Sequence, residues 1–247
     1  MPAPTYSERK SLYAKQWVSM VVEVPAPVEK AAKALLKSKA RYQSVERGTG
    51  VPWFFIACIH WRESSGNFAG ILHNGEKIIG TGRKTSLVPK GRGPFATWEG
   101  AAIDALSVSP HDMRNIKIDC VERFAYEAER WNGWGYALYH PNNPSAYLWS
   151  MSSVYKGGKY VADGKWDAKA LDAQVGVMPL LKRLMELDPA VGFGGAVVTE
   201  SSGSAGYVPT DVPAEFDPGI DVPSVVKPTH ASPWGVLINF ILSLFKR

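Results

Sequence analysis

The sequence predicts a mostly helical α+β domain with one small β-hairpin sheet, followed by a linker and a short C-terminal amphipathic helix. Three observations predict it. Apolar residues recur at helical spacing between about residues 11 and 187, punctuated by Pro, Thr, Asp and Gly. An Asn-Gly dipeptide, Asn74-Gly75, lies between the apolar pairs Ile71-Leu72 and Ile78-Ile79. After about residue 190 the composition turns to Gly, Ser, Val, Pro and Asp. The division that follows is a domain over 1–192, a flexible Pro/Gly/Ser-rich linker over 193–233, and a terminal helix over 234–247.

Residues 11–23 read as the first helix. Pro27 opens a second, at a position where a missing N–H costs little, and that helix runs to about Glu46 before Gly48 and Gly50. Pro52 starts a third and very apolar helix, PWFFIACIHWRES. The hairpin is expected over 71–79 and a loop over 80–95. Thr97 caps a helix through Trp98 and Leu106, and another covers about 116–131. Residues 132–165 read as an irregular, aromatic-rich wall, and Asp167 as the cap of a last helix reaching Leu187. There is no internal repeat.

The chain has 247 residues, 45% of them hydrophobic and 21% charged, enough for a real core. Its net charge of +5 and pI near 9.1 suit a polyanionic partner such as a bacterial wall, an anionic membrane or nucleic acid. No zinc-finger spacing, RNP-like strand or dense basic stripe is present, so a nucleic-acid partner is not expected. Cys58 and Cys120 sit in apolar stretches and read as two buried thiols. The opening MPAPTYSERK lacks a basic segment followed by an apolar run, so no secretory signal is expected.

The chemistry centres on the third helix. Ile56, Ile59, His60 and Glu63 stand at i, i+3, i+4 and i+7 and share one face. A carboxyl ending such a face meets apolar surroundings, which disfavour its charged form and raise its pKa toward the range of a general acid. Ser64, Ser65 and Gly66 are small enough to admit a bulky ligand, and the two hydroxyls can bond to it. The plain alternative is a Glu63 paired with Arg62 or a lysine on a solvated helix end.

Glu63-Ser-Ser-Gly-Asn-Phe68 after an apolar helix resembles the catalytic Glu-Ser motif of the lysozyme superfamily, in particular goose-type lysozymes and lytic transglycosylases. Trp131-Asn132-Gly133-Trp134-Gly135-Tyr136 is similar to the Tyr-Asn-Gly segment of those proteins. The blocks 144–149 and 158–164 resemble parts of phage and bacterial lysozyme-like proteins, bacteriophage endolysins among them. The resemblance covers about residues 45–188, and the order of its motifs is more specific than any one of them. It implies a lysozyme-like fold with the hairpin beside a cleft. It also implies cleavage of the β-1,4 bond between N-acetylmuramic acid and N-acetylglucosamine, with Glu63 protonating the leaving oxygen.

A hydrolase needs a second carboxylate, at roughly 5–5.5 Å for retention or 6.5–9.5 Å for inversion. Glu76 is the first candidate, because the hairpin can face the helix. Phage-type lysozymes place an Asp there with a Thr soon after, and Thr81 or Thr85 would match that Thr. Asp104 is the second candidate, its alternative being a buried Asp that ties helices together. If neither serves, Glu63 acts alone as acid and then base, leaving an anhydro sugar as lytic transglycosylases do. Asn132, Gly133, Tyr136, Tyr147, Trp149, Tyr155 and Tyr160 are candidates to line the sugar groove, each with packing as the alternative.

A rival reading starts from His60-Trp61-Arg62-Glu63, a His-x-x-Glu spacing found in some zinc peptidases, with His73, His111 or His140 as a further ligand. No second His follows Glu63, so the inverzincin pattern His-x-x-Glu-His is absent, and neither metal nor cofactor is expected. A non-catalytic wall- or membrane-binding virion component on the same scaffold is the other alternative. The terminal run Trp234 to Arg247 is nearly all apolar, with a narrow stripe of Asn239, Ser243, Lys246 and Arg247. It is too short to span a bilayer and suits the membrane interface, or a helix docked on the domain. The expected protein is a monomer that accumulates in the host cytoplasm and acts on periplasmic peptidoglycan during lysis, with a holin or this tail giving access.

Overall fold

The computed structural model describes residues 2–108, 111–162 and 164–193. The expected linker beyond Phe193, and the terminal helix over 234–247, lie outside the described residues. Among the described residues the chain is mostly helical, with one two-stranded antiparallel sheet.

The first helix, α1 (Tyr6–Ser19), begins five residues earlier than the apolar period indicates. Thr5 and Glu8 form a reciprocal capping box, in which each side chain binds the other's backbone N–H. The Thr-x-x-Glu spacing was present in the sequence and marks this start. The helix expected over 27–46 is two helices, α2 (Pro25–Lys37) and α3 (Lys39–Thr49), broken at Ser38. Just past the break, the Lys39 ammonium pairs with Asp188 at 2.6 Å and lies over the Trp53 ring. Gly50 closes α3 in the left-handed conformation, with φ at 74°.

Helix α4 (Trp53–Ser64) is the centre of the molecule. Every residue from Trp53 to His60 is buried, as is Arg62. The face predicted from Ile56, Ile59, His60 and Glu63 is therefore one side of a helix enclosed all round, with α2, α3, α6 and α9 against it. Thr97 caps α5 (Trp98–Ser107) as expected, accepting from the Gly100 N–H. Helix α6 (Val121–Asn132) packs on α1, and its Phe124 lies edge-on to Phe55 of α4. The short helices α7 (Gly135–Tyr139) and α8 (Ala146–Trp149) follow. Each large side chain enclosed here, Phe55, Phe124, Trp98 and Trp149 among them, contributes roughly 1.5–3 kcal/mol.

Two expectations about later elements are corrected. The segment 71–79 is not a β-hairpin: it is a tight loop with a single antiparallel bridge, Gly70 to Lys77. Its apolar residues do not alternate between faces. Ile71 and Ile78 are both buried in a small cluster with Ala101, Ile79 and Phe95. The sheet lies instead in the aromatic-rich segment, where β1 (Lys159–Ala162) pairs with β2 (Lys165–Asp167), placing Tyr160 opposite Trp166. Asp167 does not cap the last helix. It ends β2, and its carboxylate accepts from the N–H groups of Lys169 and Ala170. Helix α9 (Val177–Leu187) starts after Gly176, whose Cα lies so close to the Leu148 carbonyl that a Cβ would sit 2.6 Å from it. Of the two thiols, Cys58 is buried as expected, but Cys120 is partly exposed and lies 3.3 Å from the Tyr6 hydroxyl.

Glu129 on α6 ties α1 to the core. Its carboxylate is 1% exposed and accepts from Arg9 at 3.0 Å and from the Tyr13 hydroxyl. Removing one partner of such a buried ionic group strands the rest. Glu129→Ala is expected to cost roughly 3–5 kcal/mol in urea denaturation; a loss below about 1 kcal/mol would mean α1 is held by packing alone.

Candidate active site

Glu63 stands in the last turn of α4, where the buried helix reaches the surface, and is half-buried. The Tyr147 hydroxyl of α8 donates to its Oε1 at 3.0 Å, and the Trp131 indole of α6 is a second donor. Burial pushes its pKa up to about 7 against the opposing pull of these donors and of the Arg62 charge. The carboxyl therefore holds a proton over much of the range in which an ordinary Glu has lost it. Ser65 turns the chain away in the left-handed conformation, with φ at 55°. The Ser64 hydroxyl donates to the carbonyls of His60 and Asn67, while Ser65 and Asn67 are exposed.

The group beside Glu63 was not legible in the sequence. Arg62 points inward, and its Nη2 donates to Asp172 at 2.8 Å; both side chains are 4% exposed. Its Nη1 donates to the carbonyls of Gln174 and Val175, and its guanidinium lies 4.8 Å from the centre of the Tyr147 ring. Lys159 of β1 reaches the other oxygen of Asp172 at 3.2 Å. Gln174 donates from Nε2 to the carbonyls of Trp61 and Arg62, both at 2.9 Å; the Trp61 carbonyl also accepts the Ser65 N–H at 2.8 Å. The only signal in the sequence was Arg62 itself, a cation in an otherwise apolar helix that needs a buried anion.

The loop after α4 is fixed to Glu63 by its backbone. Gly75 has φ at 77°, and a Cβ there would lie 2.3 Å from the Glu63 carbonyl oxygen, so only glycine fits. Glu76, beside it, spends its carboxylate within the loop. It accepts from the Ser86 N–H and hydroxyl at 2.9 and 2.5 Å, from the Leu87 N–H at 3.1 Å and from Asn74 at 2.9 Å. These donors hold its pKa below the ordinary value despite partial burial. Asp104 is paired with Arg92 and, at 2.8 Å, with Nε2 of His73, which also keep its pKa low. Thr85 is buried, donating to the Pro89 carbonyl and accepting from the Arg92 N–H; Thr81 is exposed and donates to the Ile78 carbonyl. These four residues organise the 70–95 segment.

Of the residues expected to line a groove, Tyr147 touches Glu63 directly. Asn132 and Gly133 end α6 one and two residues after Trp131, both half-buried. Tyr136 and Tyr160 meet edge-on, each also packed edge-on to Trp166, and the Tyr160 hydroxyl is 3.4 Å from the Gly135 carbonyl. Trp149 is enclosed in the core, and Tyr155 is buried with its hydroxyl donating to the carbonyls of Gly158 and Ala170.

His60 is also accounted for. Its Nδ1 meets the Tyr42 hydroxyl at 2.9 Å and its Nε2 the Asn67 carbonyl at 3.2 Å, while burial pushes its pKa down to about 3. With both ring nitrogens engaged it has no lone pair to offer a metal. His140 stacks on Trp166 with centroids 3.6 Å apart, and His111 packs on Trp131. Among the described residues no group of three or more His, Cys, Asp or Glu is disposed to hold a metal. No helix among them is long and apolar enough to cross a membrane. No family model, curated protein or solved structure matches this chain.

The protonated carboxyl has a measurable cost. Unfolded, Glu63 titrates near 4.5; folded, near 7. Between those values the folded state binds a proton that the unfolded state has released, so stability is complete below pH 4.5 and falls as pH rises toward 7. At about 1.4 kcal/mol per pH unit the loss reaches about 3 kcal/mol, less the screening due to a half-buried group. Glu63→Gln removes this dependence. In urea denaturation the variant should match the wild type at pH 4 and exceed it by roughly 1–3 kcal/mol at pH 8. An equal stability at both pH values would mean that folding leaves the pKa of Glu63 at its ordinary value.

Proposed function

We propose that this chain is a peptidoglycan-cleaving glycosidase of lysozyme-like fold, acting on the β-1,4 bond between N-acetylmuramic acid and N-acetylglucosamine, with Glu63 as its acid. The observation that carries the reading is the carboxyl of Glu63. Burial raises its pKa to about 7, so that a large share of it holds a proton near neutral pH; it is held by Tyr147 and ends a rigid helix beside exposed small residues. That is what protonation of a poor leaving oxygen requires. The motif order noted in the sequence, from Glu63-Ser64 to Asn132-Gly133, supports the substrate class.

The second step follows from what surrounds the other carboxylates. Glu76 and Asp104 each have their oxygens committed to donors in their own segment. Glu63 then serves twice. It protonates the bridging oxygen as the C1–O bond breaks, and its carboxylate next takes the proton of the muramic acid 6-hydroxyl as that oxygen bonds to C1. The sugar leaves as a 1,6-anhydro ring and Glu63 regains its proton. This is the lytic transglycosylase branch, and the biological setting that fits is wall breakdown during phage-induced lysis.

Digestion of purified Gram-negative peptidoglycan, read by mass spectrometry, tests it. The wild type should release anhydro-muropeptides, and Glu63→Gln should lower the rate by at least about 10²-fold. Reducing muropeptides would return a hydrolytic second group to the site. Freed stem peptides, or no products at all, would overturn the glycosidase reading.

A further inference from the structure

We propose that Asp172, acting through Arg62, is the positioning residue that keeps Glu63 in its acid form and in place. An arginine next in sequence to a catalytic acid is a liability, because its charge favours the carboxylate. Here the guanidinium is bound to a buried anion, which offsets part of its charge at Glu63. Asp172 takes Nη2 at 2.8 Å, and the backbone carbonyls of Gln174 and Val175 take Nη1. The same guanidinium lies under the Tyr147 ring, whose hydroxyl donates to Glu63. One buried ion pair thus sets both the field at the carboxyl and the seat of its hydrogen-bond donor.

The anion is itself fixed. The Ser150 hydroxyl donates to the Asp172 carbonyl at 2.8 Å, the Gly176 N–H donates to the Ser150 carbonyl at 3.1 Å, and Gln174 binds the last carbonyls of α4. The segment 172–176 is therefore clamped between α4 and α8, and with it the partners of the Arg62 guanidinium.

The charged and titratable groups around Glu63 come from several elements. Arg62 is on α4, Tyr147 on α8 and Tyr136, which faces Arg62, on α7; Asp172 precedes α9, and Lys159 on β1 faces Asp172. On the loop against the Glu63 carbonyl, Glu76 is bound to Ser86, Leu87 and Asn74, and His73 to Asp104. Removing the Asp172 charge leaves Arg62 uncompensated, and every change in field then favours ionised Glu63. Removing the Lys159 charge acts in the opposite direction and more weakly, since that side chain is farther out and 19% exposed.

The catalytic meaning of this pair rests on the glycosidase reading above, but its test does not. The full chain carrying ¹³C-labelled glutamate is titrated by NMR, with the Glu63 carboxyl signal assigned by its loss in Glu63→Gln. In Asp172→Asn the Glu63 midpoint should fall by about one pH unit or more, and the alkaline limb of the pH–rate profile on peptidoglycan should move down with it. An unchanged or higher midpoint would overturn the proposal. Should Asp172→Asn fail to fold, Lys159→Met decides: a midpoint raised by a few tenths supports the proposal, and an unchanged or lowered one overturns it. A shifted midpoint in a protein that yields no muropeptides would retain Asp172 as the tuning group and remove the glycosidase reading alone.

Discussion

The structure depends on how α4 ends. A helix enclosed on all sides cannot leave its last carbonyls, or a cation, without partners. In the final turn of α4 three such demands meet: the Arg62 carbonyl, the Arg62 guanidinium, and the Glu63 carboxyl. Gln174 meets the first, Asp172 the second and Tyr147 the third. All of these partners come from residues more than eighty positions later in the chain. The segment before α9 and the whole of α8 are therefore placed by the requirements of one helix end, and β1 joins them through Lys159.

The same logic explains why loop 70–95 is ordered although it has almost no regular structure. Its polar side chains do what strands would otherwise do. Glu76 gathers two N–H groups, a hydroxyl and an amide; Asp104 gathers Arg92 and His73; Thr85 closes a smaller turn. Carboxylates in a loop next to an acid invite a catalytic assignment, but a carboxylate that accepts four hydrogen bonds is a node of the fold.

The helices were legible because their signals are local. Pro near the start of α2, Pro52 before α4, Thr97 before α5 and Gly50 after α3 act within a turn of the residues they govern. Glu63 was legible for a related reason, since its place at the end of an apolar run follows from sequence spacing. The hairpin expectation failed because Asn74-Gly75 serves a tertiary purpose. The glycine is required by contact with the Glu63 carbonyl, and Asn74 by its bonds to Glu76 and Val88. Asp167 failed as a cap because an Asx turn uses the same geometry as a helix start and leads nowhere. Asp172 and Gln174 were invisible because their role is defined only by Arg62, 110 and 112 residues away.

Phe193, the last residue whose surroundings are described, packs edge-on against Phe54 and Phe124. Phe54 is in the first turn of α4 and Glu63 in the last, nine residues on, or about 13 Å along the axis. Phe193 thus packs at the end of the central helix opposite to Glu63. The Glu63 carboxyl and the seat of Phe193 are held apart by the length of one rigid helix, so that a change made at one end need not disturb the other.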